Sequence, residues 1–204
     1  MIIAGAGGHA KEILDIISNE KSICFYDSTD SIEESLFEFK ILKSSIAVES
    51  HFEKDARFCL GVGNSKTRET LANELLAAGG NLISVIAENA EIGKFDVVIE
   101  KGVNIMQLAL VSSSSIIRKG VLINAKATVH HDVEVKEYTE IGPGARILGG
   151  AKVGKFCQIG ANAVVLPNIE IGDYAIIGAG AVVTKNVPSN SVSVGVPSKI
   201  ISKE

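Results

Sequence analysis

His130 and His131 are adjacent, and Asp132 follows them directly. An imidazole beside a carboxylate suits a general base, because the carboxylate orients the ring and raises its basicity. Gly149-Gly150 comes eighteen residues after His131-Asp132, and Ser113-Ser114 eighteen residues before. Paired glycines leave backbone N–H groups open, which are the donors a developing oxyanion needs. If residues eighteen apart are neighbours in space, His131 can take a proton from an incoming nucleophile, Asp132 can orient His131, and the Gly149 N–H can steady a tetrahedral oxyanion. That is the equipment of acyl transfer.

The elements that must position these groups are marked by a six-residue beat. Ile99, Ile105, Val111, Ile117, Ile123, Val129, Val135, Ile141, Ile147, Val153, Ile159, Val165, Ile171, Ile177 and Val183 are all Ile or Val at constant spacing. Two residues before each position from Ile105 onward stands a small or β-branched partner, most often Ala or Val. Side chains two apart on a strand share a face, so each unit points one small and one large apolar group the same way. The remaining Gly, Asn, Lys, Glu and Asp suit corners and solvent. An amphipathic helix would need apolar residues three or four apart, and an open sheet would need turn clusters between longer strands.

One short strand and one corner per hexapeptide make a parallel β-helix. Three faces close a triangular coil of eighteen residues, so residues 99–188 make five uninterrupted turns at about 4.8 Å per coil. His131 then falls at a corner, over Ser113 and under Gly149. Ser112 to Ser115 supplies small corner residues beside it, and Asn124, at the preceding corner, is a candidate for positioning the acceptor. Ile86, Ile92 and Val98 already keep the beat one residue out of register, which predicts an entering coil and a one-residue slip near Val98.

Ahead of this array the chain is of another kind. Met1 to Ala4 is a short apolar run, Gly5-Ala6-Gly7-Gly8-His9-Ala10 is a glycine turn, and Lys11 to Ile17 has helical spacing. Strand, glycine turn and helix form a Rossmann-like unit whose helix start faces a phosphate. Two further strands end at Asp27 and at Gly63-Asn64, the second followed by a helix over 67–78. Parallel strands gather Gly7, Gly8, His9, Asp27, Gly63 and Asn64 at one edge. Three strands suit a mononucleotide or nucleotide-sugar more than NAD. Gly79-Gly80-Asn81 marks the boundary, giving a Rossmann-like domain over 1–80 and the β-helix over 81–204.

Composition narrows the classes. A net charge of −4 without a long basic run argues against nucleic acid and anionic membrane. No apolar run reaches a membrane-spanning length, and the first residues lack the basic start of a secretory signal, so a cytoplasmic enzyme is expected. Cys24, Cys59 and Cys157 are far apart and form no CxxC pair, so buried packing positions are expected of all three. His51 has no motif around it and is expected at the surface.

Gly-Gly-His-Ala-Lys at the start, His-Asp at a β-helix corner and a terminal Gly195-Val196-Pro197-Ser198-Lys199 together resemble the sugar acetyltransferases of the sialic-acid O-acetyltransferase and bacillosamine N-acetyltransferase group. The resemblance covers nearly the whole chain and implies a left-handed β-helix. It implies His131 as general base with Asp132 beside it and Gly149 as oxyanion donor. Acetyl-CoA would lie between subunits of a homotrimer, against Gly149, Ala161, Ala179 and the tail through Lys199, with no metal. The nucleotide-linked amino sugar, expected to be a 4-amino sugar, would meet Gly7, Gly8, His9, Asp27, Gly63, Asn64 and Asn124. The sequence departs from the group at His130, where Glu is frequent. It also has Ser28 after Asp27, where some UDP-sugar members have a second Asp, so dTDP and GDP stand beside UDP.

Competing expectations are an O-acetyltransferase acting on sialic acid or another glycan, and a non-catalytic trimeric nucleotide-sugar scaffold. A zinc carbonic anhydrase on the same β-helix would need three histidine ligands, and only His130 and His131 lie within the repeat.

Overall fold

The computed structural model describes residues 1–29 and 34–203, apart from the side chains of Ser202 and Lys203. The chain divides into two compact units, residues 1–85 and 86–204. The first unit passes the expected limit at residue 80 because Asn81–Leu82 still pairs with its sheet.

In the first unit, β1 (Ile2–Ala4), α1 (Gly8–Ile17), β2 (Cys24–Tyr26), β3 (Ser35–Leu36), β4 (Phe39–Leu42), α2 (Ser45–Phe52), β5 (Arg57–Leu60), α3 (Ser65–Ala77) and β6 (Asn81–Leu82) follow one another. The sheet order is β3-β4-β2-β1-β5-β6. All pairings are parallel except the β3–β4 hairpin. The three strands expected are there at its centre, and β4 with α2 extends the sheet beyond them. Ile41 and Leu42 are buried while Phe39 and Lys40 lie nearer the surface, so this strand lacks the continuous apolar run that exposes a central one.

Cys24 and Cys59 are buried on β2 and β5, and burial pushes their thiols up, to about 11 and about 12. His51 is half-buried, against expectation, because it packs with its Nδ1 3.5 Å from the Cys24 Sγ and its Nε2 3.2 Å from the amino group of Met1.

The second unit is a left-handed parallel β-helix of two-residue strands. Each residue of the six-residue beat is the second residue of its strand. Strands ending at Ile105, Ile123, Ile141, Ile159 and Ile177 stack as one face. Those ending at Ile92, Val111, Val129, Ile147, Val165 and Val183 form the second. The third carries Ile99, Ile117, Val135, Val153 and Ile171. These residues and their small partners, Cys157 among them, form one continuous core. Ile147 is fully buried, so Ile147→Ala is expected to cost about 2–5 kcal/mol through lost burial and a cavity. Chemical denaturation checks this.

A second column was not visible in the apolar pattern. The third residue after each core position, at 102, 108, 114 and on through 180, has positive φ in every coil, whether Gly, Asn, Asp132, Ser114, Lys126, Leu108 or an aromatic. This left-handed residue turns the chain sharply enough to begin the next two-residue strand. Tyr138, Phe156 and Tyr174 share one such column and stack at 5.4 and 5.2 Å between ring centroids.

The register slip is real but earlier than Val98. Ile92 pairs with Val111, nineteen residues on, whereas Ile99 pairs with Ile117 at the usual eighteen. Gly93 donates to Val111 and Phe95 accepts from Ser114, so Lys94 is the additional residue and bulges from that corner. After Val183 the chain forms an antiparallel hairpin of Ser191–Val194 with Lys199–Lys203, which lies beside the last coil of the first face.

Candidate active site

His131, Asp132 and Gly149 come together as the spacing requires. Asp132 is the left-handed residue of its corner, with φ of 60°, and this turns its carboxylate back onto the preceding side chain. Asp132 Oδ2 lies 2.7 Å from His131 Nδ1. With the proton on Nδ1 donated to that carboxylate, Nε2 keeps a free lone pair, as a base requires. Both side chains are about two-thirds exposed, at 67% and 65%.

Backbone hydrogen bonds lock the column. The Asp132 N–H donates to Ser113 O at 3.4 Å, that of Gly150 to His131 O at 3.0 Å, and that of Asn168 to Gly149 O at 3.0 Å. The Gly149 N–H meets no acceptor among the described residues. Gly149 also has a role the sequence did not reveal. A Cβ built on it would lie 2.5 Å from Cε1 and 2.7 Å from Nε2 of His131, so the imidazole rests on the bare glycine face. Ser115 Oγ, buried in the core, donates to His130 O at 2.9 Å and fixes the backbone under the histidine pair.

Because Asn tolerates positive φ and keeps the shape of Asp, Asp132→Asn tests the charge alone. It is expected to lower kcat roughly 10- to 100-fold with little change in the KM for acetyl-CoA, a modest share of general-base catalysis in keeping with the exposure of the pair. Steady-state kinetics read both quantities.

The other second-unit candidates lie elsewhere on the coil. Asn124 stands at the corner between the first and second faces, and its Oδ1 accepts from the Ala125 N–H at 2.8 Å. Ala161 and Ala179 stack at that corner too, with the Gly180 N–H donating to Ala161 O at 2.8 Å. A strand of the second face separates this corner from that of His131, so one chain does not bring the two groups together. Lys199 does share a cavity of about 360 Å³ with Lys185, Ser193, Pro197 and Ser198. Lys185 tops the His131 column, three coils up, or about 14 Å at the strand spacing. A broader cavity of about 610 Å³ lies along the third face between Glu134, Lys152, Glu170 and Ser189, and His131 does not line it.

In the first unit the glycine edge is assembled by strand register. Ala4 aligns with Tyr26 and with Leu60, so the loops after β1, β2 and β5 leave side by side. Gly7 is the N-cap of α1 and Gly8 its first residue; both are exposed. His9 follows with Nδ1 3.0 Å from Glu12 Oε2, and burial holds its pKa below the usual histidine value. Asp27 Oδ1 accepts from the Thr29 N–H at 2.9 Å. Asn64 caps α3, accepting from the Thr67 N–H at 3.0 Å.

One residue here escaped sequence reading. Arg68 is buried, and its guanidinium donates to the Gly63 carbonyl, bracing the loop from inside. Its signal was a charged residue on the inward 68/71/72/75 face of the helix, a pattern that normally holds apolar groups.

Residues 1–75 match the family model of the PglD N-terminal domain, and residues 114–149 and 150–185 match that of the bacterial transferase hexapeptide, six repeats. A domain of the PglD N-terminal kind thus precedes an array of transferase hexapeptides. Solved structures extend the likeness over almost the full length of the chain. PerB from Caulobacter crescentus, in complex with CoA and GDP-perosamine, is 27% identical with a TM-score of 0.90, over 98% of this chain and 96% of its own. The acetyltransferase domain of PglB from Neisseria gonorrhoeae, in complex with acetyl coenzyme A, is 27% identical with a TM-score of 0.91, over 98% of both chains. WeeI from Acinetobacter baumannii AYE is 28% identical with a TM-score of 0.88, over 98% of this chain and 100% of its own. No curated protein matches the transferase by sequence. No helix among the described residues is long and apolar enough to cross a membrane, and no group of three His, Cys, Asp or Glu among them stands close enough to hold a metal ion.

Proposed function

We propose that this transferase moves the acetyl group of acetyl-CoA to the amine of a nucleotide-linked amino sugar, with a 4-amino sugar as the expected acceptor. The observation that carries the reading is the His131–Asp132 pair resting on Gly149, in a chain similar over its length to acetyltransferases bound to CoA and GDP-perosamine. The amine nitrogen attacks the thioester carbonyl, and a C–N bond forms. Nε2 of His131 takes the proton the nitrogen sheds, and the resulting imidazolium is held by Asp132. The Gly149 N–H donates to the oxyanion, which collapses as the C–S bond breaks and the CoA thiolate leaves with the proton returned from His131. No acyl-enzyme forms.

The column above His131 supports the placement of CoA. Gly149, Pro167 and Lys185 lead up one corner to the cavity of Lys185 and Lys199, where two ammonium groups suit phosphates. Ala161 and Ala179, on the other corner, would meet the same coenzyme only from a second copy. A homotrimer supplies that copy at each corner, and light-scattering mass in solution checks it. Gly7, Gly8, His9, Asp27, Gly63 and Asn64 serve the nucleotide-sugar at a helix start suited to phosphate; Asn124 shares the corner of Ala161 and Ala179 and would likewise serve from a second copy. The reading places the enzyme in the cytoplasm, where acetyl-CoA is made.

The decisive assay follows thiol release from acetyl-CoA with UDP-, dTDP- and GDP-linked 4-amino sugars and with free sialic acid. Turnover with one nucleotide-linked amino sugar is expected, and it names the base. Turnover on sialic acid alone would move the reaction to O-acetylation, and CoA binding with silence on every acceptor would favour a binding scaffold.

A further inference from the structure

The column that holds His131 continues below it to an aromatic side chain. Asp132 donates to Ser113 O, and in the coil beneath, Ser114 donates to Phe95 O at 2.9 Å. Phe95, Ser113, His131 and Gly149 are therefore equivalent residues of four successive coils. The Lys94 bulge lets Phe95 keep this place although its strand is one residue out of step. Asp96 after it has the same positive φ as Ser114 and Asp132.

Three properties set this lower part of the column apart from the part above. Phe95 is 72% exposed, an unusual position for a phenylalanine. The Ser112, Ser113 and Ser114 hydroxyls, between Phe95 and His131, make no hydrogen bond among the described residues. Gly93 packs so closely under Ser112-Ser113 that an added Cβ would lie 2.5 Å from the Ser113 nitrogen, so the floor beneath the serines is rigid backbone. Free hydroxyls one coil above an exposed phenylalanine suit a polyhydroxylated ring, whose C–H face packs on the negative face of the phenyl. Two coils, about 10 Å, separate Phe95 from His131, which is room for one pyranose with its amine at Nε2.

Resting on the acetyltransferase reading, we propose that Phe95 is the stacking platform for the acceptor's pyranose ring, with Ser113 bonding its hydroxyls, so that acceptor lies below His131 and coenzyme above. Phe95 thereby determines sugar affinity without taking part in proton transfer.

Calorimetry with UDP-, dTDP- and GDP-linked 4-amino sugars, in the absence of acetyl-CoA, reads acceptor affinity without turnover. Phe95→Ala is expected to weaken the Kd of the sugar that binds by about tenfold, the size of one lost aromatic contact, with Phe95→Tyr within twofold of wild type. In steady state Phe95→Ala is expected to raise the KM for that sugar in parallel, with kcat and the KM for acetyl-CoA changed less than threefold. Unchanged sugar affinity overturns the assignment. So does an effect confined to acetyl-CoA or to the oligomeric mass, which would seat Phe95 against the coenzyme or another copy. Wild type that binds the sugar through Phe95 yet fails to acetylate it would refute the enzymatic reading while sustaining the platform, and binding of none of the three refutes both.

Discussion

His131→Ala is expected to lower kcat by about 10²- to 10⁴-fold, the usual share of a general base, with the Kd for acetyl-CoA and for the amino sugar nearly unchanged. The side chain is two-thirds exposed and its only polar partner among the described residues is Asp132, so removal opens no core cavity and leaves no buried group unsatisfied. Stability should therefore shift by only about 0.5 kcal/mol, as for other surface changes. Thiol-release kinetics beside thermal unfolding separate the two quantities. A variant that keeps its rate would remove His131 from the chemistry, and attention would pass to His130, the other imidazole of the corner.

Gly149→Ala is expected to cost about 10²-fold in kcat, the scale of a roughly 1 Å misplacement of a catalytic group. The added methyl would meet the imidazole at 2.5 Å, and the ring must swing away from its Asp132 contact. Gly149 is not among the residues of positive φ, so alanine fits the backbone there. The variant should fold with a melting temperature near that of wild type and bind both substrates. Gly150 is the contrasting neighbour, with φ of +73° and Asn168 Oδ1 against its notional Cβ. Gly150→Ala is strained whatever the space around it and should lose stability first. If Gly149→Ala is as active as wild type, the imidazole does not need its seat on the glycine, and that contact is incidental to turnover.

The expected contrast between these glycines shows where sequence and structure divide. Spacing alone placed His131 over Ser113 and under Gly149. In a solenoid each residue's vertical neighbours are set by a constant number of residues per coil, and a core of repeated Ile and Val permits no other register. The glycine edge of the first unit was legible for a related reason: parallel strands of known order end together, and Asp27 and Gly63-Asn64 lie at those ends. What spacing could not convey is direction. Which way the imidazole lies depends on the left-handed turn at Asp132 and on the absence of a Cβ at Gly149. Neither leaves a trace in apolar periodicity.

Irregular features were hidden for the same physical reason. The slip itself showed in the beat, but Val98 beside Ile99 concealed that Lys94 is the residue that bulges, and β4 is too short and too mixed to stand out from a loop. Arg68 is buried because the Gly63 carbonyl accepts from it, a partner that only the folded loop brings near. The sequence by itself thus determined the repeat, its core and the register of the base over its glycine, since these follow from local alternation summed along one dimension. The tertiary structure decided the aim of His131, the burial of Arg68 and the place of Phe95 in its column, because these depend on backbone dihedrals and on neighbours brought close by the turns.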